Sequence, residues 1–189
     1  MRRKSFDVLF DTRNGMTWLA DHPTMWRSLF YFVISQGAFV GVCTNVFFKE
    51  EYIGVRFAIL IGILVVKAME LIVFGCFLHG LIDLCGGGSG DIRGFLCILG
   101  FTTLPYLVFT PLALVAVELG GLGLLSLPVT YFAAFLWSLY LMMRAVEAVY
   151  LLDFMRSAIV VFFAFLLWFI MLALPIYLVV DLFARSFLG

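Results

Sequence analysis

Two pairs of opposite charges stand three residues apart inside long apolar runs: Lys67 and Glu70 in "LVVKAMELIVFG", and Arg144 and Glu147 in "MMRAVEAV". Residues three apart on a helix share a face and can pair. In lipid, a lone charge near the bilayer centre costs about 2.5–3.5 kcal/mol, so such groups pair, face a bundle interior or line a polar path. The pairs are therefore either ion pairs that fix helix register or the lining of a pocket or pathway for an ion, a proton or a lipid headgroup. Counted from Val55 at 1.5 Å per residue, Lys67 lies about 18 Å along its helix, near mid-bilayer. Arg144 lies much nearer the end of its own apolar run.

Other combinations are less productive. His79 and Asp83, four apart, suit a proton relay or a helix-end hydrogen bond, because a neighbouring carboxylate favours the charged imidazole. Cys76 and His79 are three apart with Cys85 and Cys97 nearby, but the spacing matches no zinc finger. With Cys43 these cysteines read as free thiols that behave as small buried hydrophobes. No Ser-His-Asp, Cys-His or paired-carboxylate set stands at a catalytic spacing, so the expectation is no enzyme activity, no cofactor and no metal.

The elements that position these residues follow from composition. The chain is 65% hydrophobic and 13% charged, with 22 Phe in 189 residues. A soluble domain is about half apolar and about a quarter charged, so the solvent here is lipid. Formal net charge is zero, and no basic face argues for nucleic acid. Five runs have the roughly 20 apolar residues a spanning helix needs: Leu29–Phe48, Val55–His79, Phe95–Val117, Leu124–Met143 and Ala158–Val180. The fold class is thus all-α, a polytopic five-transmembrane-helix bundle, with residues 1–27 as a cytoplasmic or interfacial segment, 28–182 as the membrane domain and 183–189 as a short outer tail. The mixed aromatic and charged lead-in suits an interfacial helix. Trp26, Tyr31, Tyr52, Tyr106, Tyr150 and Tyr177 are expected to anchor span edges.

Eight Lys and Arg fall on the N-terminal side (Arg2, Arg3, Lys4, Arg13, Arg27, Arg93, Arg144, Arg156) and three on the other (Lys49, Arg56, Arg185). That bias predicts a cytoplasmic N-terminus and an outer C-terminus. The basic start lacks a following apolar h-region, so the first span is expected to direct insertion. Pro105 and Pro111 are expected to kink the third span.

The stretch "GGGSGDIRGFL" has no P-loop lysine and no preceding strand, so phosphate binding of the P-loop or dinucleotide kind is not expected. The bland reading is a hairpin turn in which glycine supplies positive φ and Asp91 caps the next helix. A lipid headgroup approaching Arg93 is the functional alternative.

With His79 before it, Gly86, Gly87, Gly88 and Gly90 within it, and "GFTTLP" (Gly100 to Pro105) after it, the pattern resembles the Yip domain of Ypt/Rab-interacting membrane proteins. Phe101 and Thr102 stand where that family commonly has Tyr and Ser. The short lead-in resembles a minimal prokaryotic form and weighs against the small-GTPase partner that eukaryotic members bind. The resemblance implies a non-enzymatic scaffold of membrane organisation or trafficking, binding lipids or partners at the inner face. Its partners would be the bilayer, other membrane proteins or a second copy. The expected location is a bacterial inner membrane, with the ER or Golgi as the alternative. The competing function is a small transporter or channel in which Lys67, Glu70, Arg144 and Glu147 form one polar pathway. "KAME" and "RAVE" also suggest a parallel repeat, with spans two and three matching spans four and five.

Overall fold

The computed structural model describes residues 8–47, 52–86, 90–121 and 125–188, with side chains for 8–45, 52–86, 90–121 and 125–174. Among the described residues, seven α-helices have both ends defined: α1 (Thr12–Asp21), α2 (Met25–Phe47), α3 (Ile53–Leu84), α4 (Ile92–Leu99), α5 (Leu104–Glu118), α6 (Ser126–Tyr150) and α7 (Phe154–Leu188). A 3-10 turn, Gly100–Thr103, joins α4 to α5. There is no strand among the described residues. Among the described residues, five stretches are long and apolar enough to cross a membrane: α2, α3, α4 through α5, α6, and α7. The predicted five-span, all-α bundle is the observed one.

Helix α3 shows why lipid is its solvent. It is apolar on every side, and Ile61, Val65, Val66, Met69 and Val73 are all exposed. A helix apolar all round must be buried in protein or in a membrane. Helix α1 is different. It buries Thr12, Gly15, Met16 and Leu19 on one face and exposes the other. Met16 and Leu19 join Leu78, Ile82, Phe95, Val146 and Tyr150 in one apolar cluster, so α1 closes the end of the bundle that carries the glycine loop. A second cluster (Phe39, Val42, Tyr106, Ala113, Ala116, Leu127, Ala134) holds the other end. Its alanines let α5 and α6 approach closely, as small residues do between spans.

The turns follow the sequence chemistry. Gly86 takes φ +70° after α3, the left-handed conformation in which a side chain is strained. Asp91 caps α4 by accepting from the backbone N–H of Arg93 and Gly94. Both match the expected hairpin.

The third span tightens from α to 3-10 geometry at Gly100–Thr103, and this interruption of the α-helical ladder has an identifiable cause. In an unbroken helix the N–H of Gly100 would donate to the carbonyl of Leu96. Instead it donates to Ser28 Oγ at 2.9 Å, while the same hydroxyl donates to Leu96 O at 3.4 Å. A side chain inserted into the ladder is one of the identifiable causes of a departure from regular α-helix. Pro105 then occupies the first turn of α5, where its missing N–H costs little. The interruption expected at Pro105 therefore falls just before it, and Ser28 of α2 shares in making it.

Two expectations need correction. Tyr106 and Tyr150 do not anchor span edges: they are 6% and 2% exposed, inside the bundle. Trp26 and Tyr52 are exposed, at 79% and 84%, and the side chain of Tyr177 lies outside the described residues. The two helix pairs of the suggested repeat also differ in build, since the third span is interrupted at Gly100–Thr103 whereas α7 runs continuously through Pro175.

Candidate functional site

Polar side chains gather where the third span tightens. Ser35 Oγ of α2 and Thr103 Oγ1 lie 2.7 Å apart. Ser138 of α6 donates to Thr102 O at 2.6 Å, and Thr102 and Thr103 donate back to Leu99 O and Gly100 O. The hydroxyls thus satisfy the backbone that the interruption exposes, as lipid-embedded irregular backbone requires.

Beside this belt lies a cavity of about 140 Å³ to which all five spans contribute. Gln36 enters it from α2, Lys67 and Glu70 from α3, Tyr106 from α5, Tyr131 from α6 and Trp168 from α7. Lys67 Nζ donates to Glu70 Oε2 at 2.8 Å, and the two side chains keep 39% and 40% of their surface exposed. The pair sits near the middle of the 32-residue α3. Gln36 is 7% exposed, and among the described residues its amide has no hydrogen-bond partner.

The second charge pair is elsewhere. Arg144 Nη1 donates to Glu147 Oε2 at 2.6 Å and its Nε donates to Tyr140 OH at 3.1 Å. The guanidinium carbon lies 4.3 Å from the Phe154 ring centroid, within cation–π range. Arg13 of α1 adds a weaker contact to Glu147 at 3.9 Å. These residues line a separate cavity of about 230 Å³ beneath α1. The two pairs are each closed and open on different cavities.

At the glycine-loop end, His79 makes the contact that matters, and its partner is Tyr150 rather than the loop. His79 Nδ1 and Tyr150 OH are 2.6 Å apart, and His79 Nε2 lies 3.4 Å from Asp83 Oδ2. Tyr150 also meets Phe95 edge-on, with ring centroids 5.6 Å apart. Gly90 lies flat against that ring: a Cβ there would overlap Tyr150. Gly90 and His79 are thus two sides of one slot for Tyr150. Gly87 and Gly88 lie outside the described residues. Arg93 is exposed on the first turn of α4, and Arg156 pairs with Asp153 at 3.3 Å.

Sequence reasoning missed Ser28, Gln36 and Tyr150 as working residues. Gln36 had a signal: it is an amide inside a run apolar enough to span the membrane. Ser28 and Tyr150 had none, because their partners are about seventy positions away in the chain.

Tyr150→Phe tests the slot. It keeps the ring against Gly90 and removes only the hydroxyl. The expected loss is about 1–2 kcal/mol, one hydrogen bond plus an imidazole nitrogen left unmet. Denaturation in bicelles would measure it, and an unchanged stability would show that the ring alone holds the slot.

The chain matches the family model described as the Yip1 domain over residues 6–178. No curated protein and no solved structure matches it. The matched span takes in the Tyr150 slot, the Ser28–Gly100 contact and the cavity at Lys67 and Glu70, which covers nearly every feature described above, and the chain belongs to the Yip1 domain family.

Proposed function

We propose that this membrane protein acts by binding rather than by catalysis or conduction, organising lipids or partner proteins from the face that carries the glycine loop. That face holds Arg93, Asp153, Arg156 and the exposed side of α1, and the excess of Lys and Arg supports a cytoplasmic placement for it. One observation carries the reading. Lys67–Glu70 and Arg144–Glu147 are separately paired and line different cavities, whereas a pathway for ions would string them along one.

The cavity at Lys67 and Glu70 favours transport as the second reading. Reconstituted liposomes loaded with a proton- or cation-sensitive dye separate the two. Under the binding reading, wild type and Lys67→Ala both leak no faster than protein-free vesicles. A flux present in wild type and lost in Lys67→Ala would replace binding with transport.

A further inference from the structure

We propose that the cavity at Gln36, Lys67 and Glu70 binds a zwitterionic group carrying an ammonium and a phosphate, supplied by the headgroup of one phospholipid. This goes beyond the binding reading given above, which concerns the glycine-loop face, by naming what the intramembrane cavity holds.

Gln36 gives the first argument. Its neighbours Ser35, Thr102, Thr103 and Ser138 are all engaged with each other or with the interrupted backbone. Gln36 is not: the residue is 7% exposed, it borders the cavity, and its amide, which makes no hydrogen bond among the described residues, is open to that cavity rather than sealed in protein. A polar ligand in the cavity can hydrogen-bond to that open amide, a contact worth about 0.5–1.5 kcal/mol.

The charge pair gives the second. Lys67 and Glu70 present one cation and one anion at the same mouth, each still partly exposed. A simple cation would engage Glu70 and strand Lys67, and a simple anion would do the reverse. Both leave an unpaired charge in lipid, at about 2.5–3.5 kcal/mol. A zwitterion meets both at once, phosphate to Lys67 and ammonium to Glu70. Tyr131 and Trp168 add aromatic faces, which attract an ammonium.

The surroundings identify the source as lipid. Val66 and Val73 lie four before and three after Glu70 on the same face of α3, and they are 63% and 51% exposed. Acyl chains therefore lie against the flank of the mouth. At about 140 Å³ the cavity suits a headgroup rather than a whole small-molecule ligand, whose pockets run to about 300–1,000 Å³.

The test is thermal stabilisation of the purified full chain in detergent by dioleoyl phosphatidylethanolamine, with dioleoyl phosphatidylglycerol as the anionic control. Free phosphoethanolamine forms a third arm. The expected result is a concentration-dependent rise in melting temperature with the zwitterionic lipid and a much smaller one with the anionic lipid. Gln36→Leu, which keeps the volume and removes the amide, should weaken the apparent affinity about tenfold, the equivalent of one good hydrogen bond. Its melting temperature without lipid should not fall. The double variant Lys67→Met/Glu70→Met should lose the preference between the two lipids.

Stabilisation by free phosphoethanolamine equal to that by the lipid would support the zwitterion chemistry and move its source to a soluble compound. Equal stabilisation by both lipids in wild type, or wild-type affinity in Gln36→Leu, would overturn the proposal. Ion flux in the liposome assay would remove the binding-only function and leave this lipid result standing, so the two failures are distinguishable.

Discussion

Replacing Gly100 with alanine will lower stability by about 3 kcal/mol, the combined scale of an overpacked contact and a lost hydrogen bond. The methyl group would overlap both the carbonyl oxygen and the hydroxyl of Ser28. The hydroxyl could rotate away, but the carbonyl belongs to the backbone of α2 and cannot. α2 and the third span would then have to separate. That separation would break the Gly100–Ser28 bond and loosen the Ser35–Thr103 contact one turn along. Gly94 is the control on the same span. A Cβ there meets nothing within 4 Å, so Gly94→Ala should be neutral or stabilising by about 0.5–1 kcal/mol, the usual gain in a helix. Thermal or chemical denaturation in bicelles reads both. A loss at Gly94 comparable to that at Gly100 would mean that packing against Ser28 is not what the glycine serves.

The contrast between those glycines shows what a sequence carries and what it leaves out. Spanning helices are set by local apolar content, because every apolar residue in lipid contributes wherever its neighbours lie. All five spans, the Asp91 cap and both i,i+3 pairs were therefore legible. The function of Gly90 and Gly100 was not, because each answers to a single side chain far along the chain, Tyr150 and Ser28. As turn formers the two glycines look alike, yet only Gly86 among the motif glycines described here has positive φ. Gly90 and Gly100 are instead places where another element comes too close for a Cβ. The tyrosines misled for a related reason. Aromatics at span ends favour the interface, but the partners of Tyr106 and Tyr150 lie inside the bundle, and tertiary contact overrides the average preference. Gln36 is the intermediate case: its polarity was visible, but its lack of a partner is a fact of three-dimensional packing.

Lys67→Met should be the second most damaging change, and its reversal should be more informative than the loss. Alone, the substitution leaves the Glu70 carboxylate near mid-bilayer without the ammonium that sits 2.8 Å from it. The partial exposure of the pair would discount its worth at a watery surface, where ion pairs contribute about 0–1 kcal/mol. At this depth the exposed part faces acyl chains or the cavity, so the cost approaches that of a lone intramembrane charge, about 2.5–3.5 kcal/mol. Adding Glu70→Met removes the orphan and should return stability to within about 1 kcal/mol of wild type, since apolar replacement of a closed ion pair is often neutral or better. Arg144→Met is the comparison. It should cost less, because Glu147 keeps Arg13 at 3.9 Å and lies near the end of its helix. A double-mutant cycle at Lys67 and Glu70 with coupling below about 0.5 kcal/mol, the value of an exposed helical pair, would show that bulk water reaches the site. Water at that depth would strengthen the conduction reading at the expense of binding. Strong coupling, with recovery in the double variant, would fix Lys67 and Glu70 as a closed pair that only a ligand carrying both charges can open without stranding one of them.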